Sequence, residues 1–273
     1  MPYRSNRKVQ WKQDATDAPS GSFELLPDVY SPQLKNERDL LVYLPPSHDD
    51  ATRRFPVIYM HDGQNLFDPA MSFSGAWEVD DAVAAASLQG LEAIIVGIPN
   101  MRQQRLSEYS PFDMKEYGEG HGGEYVDFLA QTVKPMIDRR FPTLPAREHT
   151  GIAGSSLGGL ITLYGFFRNP ETFGFAAALS PSLWLAGAAI FPFIEQAANV
   201  RGRLYVDVGH QEGQKHVENV RLLRDVLTRK GYREGVDLRI VEDRDGHHHE
   251  SAWARRFRAA LPFLLTRRER RRS

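Results

Sequence analysis

A serine hydroxyl held between glycines at a strand-to-helix turn is a candidate nucleophile. The run Gly154, Ser155, Ser156, Leu157, Gly158, Gly159 carries one in the pattern G-x-S-x-G. The stretch before it, HTGIAG (149–154), reads as a short buried strand, and the stretch after it, LGGLITLYGFF (157–167), as an apolar helix. In that setting the glycines allow a sharp turn that lifts the Ser156 hydroxyl to the carboxyl edge of a sheet. The Leu157 amide then faces the reacting carbonyl. A phosphate-cradling loop fits poorly, because no Gly-Lys-Ser/Thr follows and the spacing is not G-x-G-x-x-G.

A serine hydroxyl is a weak nucleophile near neutral pH and needs a base, usually a histidine oriented by a carboxylate. The chain order serine, acid, histidine is available here. DRDGHHHESAWARRF (243–257) follows the last expected strand and delivers three histidines to the sheet edge. Glu250 belongs to the first helical turn and Trp253 lies three residues on along the same face, which favours His248 as the base and leaves His247 and His249 as turn or rim residues. Consecutive side chains diverge and no carboxylate or cysteine stands at a ligand spacing, so no metal or other cofactor is expected. For the acid, YVDVGHQEG (205–213) offers Glu212 in the loop beyond Gly209 and Asp207 inside the strand. Glu212 is preferred, because a carboxylate within a strand needs partners of its own. Asp207 and a serine–histidine dyad stay open. A second oxyanion donor comes from MHDGQNLFD (60–68), where Gly63 lets the backbone turn and the Gln64 amide is the natural donor.

The elements that must carry these groups alternate. FELLPDVY (23–30) and RDLLVYLPP (38–46) suit antiparallel opening strands. PVIYMH (56–61), EAIIVGIP (92–99), HTGIAG, FGFAAALS (173–180), RLYVDVG (203–209) and VDLRIVE (236–242) suit a buried parallel sheet. Helical patterns fall at 77–89, 122–140, 157–168, 189–198, 213–230 and 250–265. Alternation of this kind implies βαβ crossovers and a sheet covered on both faces, with ligands beyond the strand carboxyl ends. The polar stretch 101–123 is the longest insertion at that edge and could wall a cleft, and no separate lid is evident.

With 41 % hydrophobic and 25 % charged residues in 273, the chain fits one soluble catalytic domain over 21–266, preceded by a polar segment 1–20 and followed by a basic tail 267–273. A net charge of −1 gives no reason to expect nucleic acid as a partner. Zero cysteines exclude disulfides and thiolate chemistry. The absence of an apolar leader or spanning stretch leads to a cytoplasmic expectation without membrane attachment.

These residues resemble the putative-esterase branch of the α/β-hydrolases, which includes esterase D-like, feruloyl, acetylxylan and enterochelin-type esterases and mycolyltransferases. The similarity runs from about 21 to about 265. It rests on LVYLPP (41–46), HDGQNLFD (61–68), Trp77, GIPN (97–100), Arg105 with EYSP (108–111), GSSLGG (154–159), LSPSLW (179–184) and the His248, Glu250, Trp253 pattern. The resemblance implies an α/β-hydrolase fold, a cofactor-independent ester hydrolase working through an acyl-enzyme, catalytic positions at Ser156 and His248, and oxyanion amides at Gln64 and Leu157. The substrate is a small-molecule ester: a feruloyl or acetylated sugar ester, a catecholate trilactone or a short acyl ester, with Arg105 and Trp184 as candidate binding residues. Acyl transfer by the same serine is the alternative chemistry.

Overall fold

Eight strands of five to ten residues, largely apolar in the middle of the sheet and mixed at its edges, form one sheet in a computed structural model that describes residues 21–70, 72 and 75–266. The expected N-terminal segment 1–20 and basic tail 267–273 lie outside the described residues. The strands are β1 (Ser22–Ser31), β2 (Asn36–Leu44), β3 (Val57–His61), β4 (Ile94–Ile98), β5 (Thr150–Ser155), β6 (Phe175–Leu179), β7 (Arg203–Gly209) and β8 (Leu238–Asp243). Their spatial order is β1-β2-β4-β3-β5-β6-β7-β8. The first two strands pair antiparallel and β2 meets β4 antiparallel, while all pairs from β4 to β8 are parallel. This is an α/β-hydrolase arrangement.

Helices connect the strands: α1 (Val79–Ser87), α2 (Arg105–Tyr109), α3 (Gly122–Asp127), α4 (Lys134–Arg140), α5 (Leu157–Arg168), α6 (Leu185–Ala188), α7 (Ile190–Gln196), α8 (Gln214–Arg229) and α9 (Glu250–Leu265). The helical stretch expected over 122–140 is α3 and α4 joined by a wide π-helical turn at Phe128–Val133. The period-2 pattern of the strands divides their side chains between two cores. Val57, Tyr59, Ala176, Ala178, Leu204 and Val206 pack with residues of α3, α5 and α8. Ile58, Met60, Ala177, Leu179 and Tyr205 face the other way and pack with α1 and α9. In α9 the buried positions Trp253, Phe257, Ala260, Leu261 and Leu264 recur at helical spacing and fill that second core.

Crossovers run in opposite directions from β3, which leads to β4 on one side, and from β5, which leads to β6 on the other. The neighbouring carboxyl ends of β3 and β5 therefore open a crevice into which both following turns project. No helix among the described residues is long and apolar enough to cross a membrane.

Candidate active site

The turn from β5 into α5 holds Ser156 at φ 57°, ψ −119°, the mirror image of an extended conformation and a costly one for any residue with a Cβ. The conformation is held by the Ser156 amide, which donates to Leu179 O at 2.9 Å, and by the Ser156 carbonyl, which accepts from Ser182 N at 3.0 Å and Leu160 N at 3.1 Å. Leu157 is the first residue of α5, where backbone N–H groups have no partner within the helix.

His248 Nε2 lies 3.0 Å from Ser156 Oγ, and its Nδ1 lies 2.8 Å from Glu212 Oε2. An ionised carboxylate can only accept, so Nδ1 carries the proton, and Nε2 is left to accept from the Ser156 hydroxyl. Ser182 Oγ, 3.3 Å from Ser156 Oγ, then donates to the nucleophile's oxygen. Contact between the loops that carry Glu212 and His248 depends on Gly209. A Cβ there would sit 2.1 Å from Gly246 O and 2.8 Å from Glu212 Oε1, so any side chain would force the β7–α8 and β8–α9 loops apart.

Glu212 is oriented by a saturated set of donors. Its Oε1 accepts from Gly209 N at 2.7 Å, Ser180 Oγ at 2.6 Å and Arg256 Nη2 at 3.3 Å, which leaves Oε2 to His248. Ser180 Oγ in turn accepts from Trp253 Nε1 and Arg256 Nη2, both at 3.0 Å, and so uses its whole hydrogen-bonding capacity. The Trp253 ring stands edge-on to the imidazole at a centroid distance of 4.9 Å. Burial by itself would raise the Glu212 pKa, but the hydrogen bonds from His248, Ser180 and Gly209 N outweigh it and hold the carboxyl at about 2. A depressed carboxyl pKa stabilises the fold above its usual value of 4.5, and that contribution is lost as pH falls toward about 2.

Asp207 occupies a different position. It is fully buried in β7, where Oδ1 accepts from Ser180 N at 3.0 Å and pairs with Arg256 Nη1 at 3.2 Å. Burial pushes its pKa up from 3.8 to about 7 against the opposing pull of Arg256 and the Ser180 amide. A raised carboxyl pKa means that the folded state binds more protons than the unfolded chain between those values, so Asp207 makes stability fall as pH rises through that window. Asp207→Asn should flatten this dependence. Urea midpoints compared at about pH 5 and about pH 8 should fall less for the variant than for the wild type, and equal falls would show that Asp207 does not titrate there.

Gln64 lies in the tight turn Gly63–Asn65 directly after β3. A Cβ at Gly63 would come within 2.6 to 2.8 Å of the backbone at Gly97, Ile98 and Pro99, so only glycine lets this turn rest on the end of β4. Trp77 N donates to Asn65 O at 2.9 Å and Val79 N to Leu66 O at 3.0 Å, and the chain beyond the turn is thereby tied to the start of α1. Arg105 is engaged in a bidentate ion pair with Asp62, Nε to Oδ1 and Nη2 to Oδ2 both at 2.7 Å. Trp184 is 55 % exposed and lines a cavity of about 190 Å³ with Ser156, Ser182, Glu212, His216 and His248. A larger concavity of about 700 Å³ lies at the amino ends of the strands, against Phe55, Glu92, Arg147 and Arg203, and has no serine, threonine or cysteine in its wall. The hydrogen-bonded line of Ser156, His248 and Glu212 opens onto the smaller one.

His249 caps α9 by accepting from Ser251 N at 3.3 Å. Among the described residues no three His, Asp or Glu side chains are grouped to hold a metal ion. Sequence reasoning did not single out the roles of Ser180, Ser182, His216 or Arg256. The first two lie within LSPSLW, whose spacing offered a signal. Arg256 offered none, because its partners are distant in the chain.

The sequence signature of the Putative esterase family matches residues 31–264, almost the whole described chain. The chain belongs to that family. It is a carboxylic ester hydrolase. The uncharacterized YbbA of Bacillus subtilis is 27 % identical over 241 residues, which span 83 % of this esterase and 92 % of YbbA. The siderophore triacetylfusarinine C esterase of Aspergillus fumigatus is 32 % identical over 136 residues, 47 % of this esterase and 44 % of that protein. Among solved structures, an IroE-like serine hydrolase from Shewanella oneidensis shares the fold with a TM-score of 0.71 at 19 % identity, over 89 % of this esterase and 80 % of that chain.

Proposed function

We propose that this esterase hydrolyses a small-molecule carboxylic ester through an acyl-enzyme, with Ser156 as nucleophile, His248 as base and then acid, and Glu212 as the group that orients the imidazole. The observation that supports these roles is the continuous hydrogen-bonded line from Ser156 Oγ through both nitrogens of His248 to the Glu212 carboxylate. As Ser156 Oγ bonds to the carbonyl carbon, its proton passes to His248 Nε2, and Glu212 stabilises the resulting imidazolium. The oxyanion receives hydrogen bonds from the Gln64 and Leu157 amides. Collapse breaks the ester C–O bond, and the departing alcohol takes the proton from His248. Water then repeats the sequence on the acyl-enzyme and releases the acid and free Ser156.

A siderophore ester is the substrate favoured within this class, because the relative from Aspergillus fumigatus is named for cleaving one. The shallow cavity, with the exposed Trp184 on its wall, leaves room for a substrate that projects well beyond the cleft. A fluorophosphonate probe should label the protein once, on the peptide containing Ser156, and a panel of aryl, sugar and siderophore esters should reveal turnover of at least one group. Absence of both labelling and turnover would refute the proposal.

A further inference from the structure

Asp62 links β3 to the Gln64 turn and adopts a left-handed conformation, φ 55°, ψ 46°, uncommon outside glycine though aspartate tolerates it better than most side chains. Constraints converge on it from three segments. Its amide donates to Tyr109 Oη at 3.0 Å, and its carbonyl accepts from Asn65 N at 2.8 Å. Its carboxylate receives Arg105 through both oxygens, and Asn100 Nδ2 at 2.6 Å on Oδ1. Asn100 also donates its backbone N–H to Gln64 Oε1 at 3.1 Å, so one residue grips the side chains on both sides of Gly63. The Arg105 guanidinium is itself immobilised against the Tyr109 ring, 5.1 Å from its centroid.

We infer that Arg105 is a positioning residue of the esterase, acting through Asp62 to hold the Gly63–Asn65 turn so that the Gln64 amide meets the developing oxyanion. The inference rests on the acyl-enzyme proposal, and it replaces a role for Arg105 in binding substrate charge. The guanidinium commits the Nε/Nη2 edge of its fork, through two short parallel hydrogen bonds, to the Asp62 carboxylate, and Arg105 is not among the residues that line the cavity beside Ser156. An amide aimed at the oxyanion contributes to the transition state far more than to the bound ester, so loosening the turn should lower kcat and leave KM nearly unchanged. A residue that grips an anionic substrate would do the reverse.

The test is a double-mutant cycle of Arg105→Gln and Asp62→Asn, assayed on a neutral aryl acetate and on its anionic hemisuccinate counterpart, with rates expressed per fluorophosphonate-titrated site so that misfolded protein does not count. Each single variant should lose on the order of 10²-fold in kcat on both esters, with KM within about threefold. The double variant should lose no more than the worse single, because the two residues act as one unit. Arg105→Lys, which keeps the charge but not the fork, should recover only part of the rate. A KM that rises for the anionic ester alone, or losses that add in the double variant, would overturn the inference while the acyl-enzyme proposal stands. A wild type that neither turns over ester nor takes the probe would remove both. If Arg105→Gln yields no folded protein, Arg105→Lys and Asp62→Asn carry the same comparison.

Discussion

Replacing Ser156 with alanine should lower kcat by on the order of 10⁴-fold or more and abolish fluorophosphonate labelling, with the fold intact. The hydroxyl is the only group removed, and its contacts, Ser182 Oγ at 3.3 Å and His248 Nε2 at 3.0 Å, belong to the cleft and not to either core. Alanine keeps the Cβ and with it the unfavourable φ of 57°. Glycine at the same position should be equally inactive yet more stable than alanine by about 1 kcal/mol or more, since glycine adopts the mirrored extended region freely. Thermal midpoints of the two variants measure that difference. An active Ser156→Ala enzyme would rule out the nucleophile. Equal stability of the two would mean that the turn is not strained.

Glu212→Gln should cost on the order of 10³- to 10⁴-fold in kcat, and Asp207→Asn less than about tenfold. Both carboxylates touch the same serine and the same arginine, yet only Glu212 reaches the imidazole. Glutamine preserves the shape of the side chain but cannot supply the negative charge that an imidazolium requires beside it. It also leaves the Arg256 guanidinium, 3 % exposed, with one anionic partner fewer in a buried site. Measuring kcat for both variants on one ester separates the two carboxylates. A larger loss for Asp207→Asn would reverse their roles. A loss below tenfold for Glu212→Gln would favour a serine–histidine dyad.

Strands and long helices were legible in the sequence because each must bury a continuous or periodic apolar face. The run expected over 56–61 is β3 (Val57–His61), all of it buried. The strand expected over 92–99 is shorter, Ile94–Ile98, because Glu92 turns aside to accept from Ser47 N and Oγ and to pair with Arg53. The insertion 101–123 is polar and has no strong periodicity, yet it contains α2. Five residues are too few for a helical pattern to register, and this helix is held from outside: Glu108, 2 % exposed, takes both ends of the Arg38 fork at 2.9 Å. That contact spans seventy positions of chain and leaves no local trace.

The same distinction runs through the site. Glycine spacing around Ser156, the glycine after His61 and the helix start after His248 are local features, each dictated by what a strand-to-helix turn permits, and the sequence alone determined them. Which carboxylate meets His248, and where the Arg105 guanidinium spends its donors, were decided by tertiary structure. The order of strands across the sheet sets which loops are neighbours, and the bare backbone at Gly209 lets two of them touch, so that groups 92 and 36 residues apart come within hydrogen-bond reach of one imidazole.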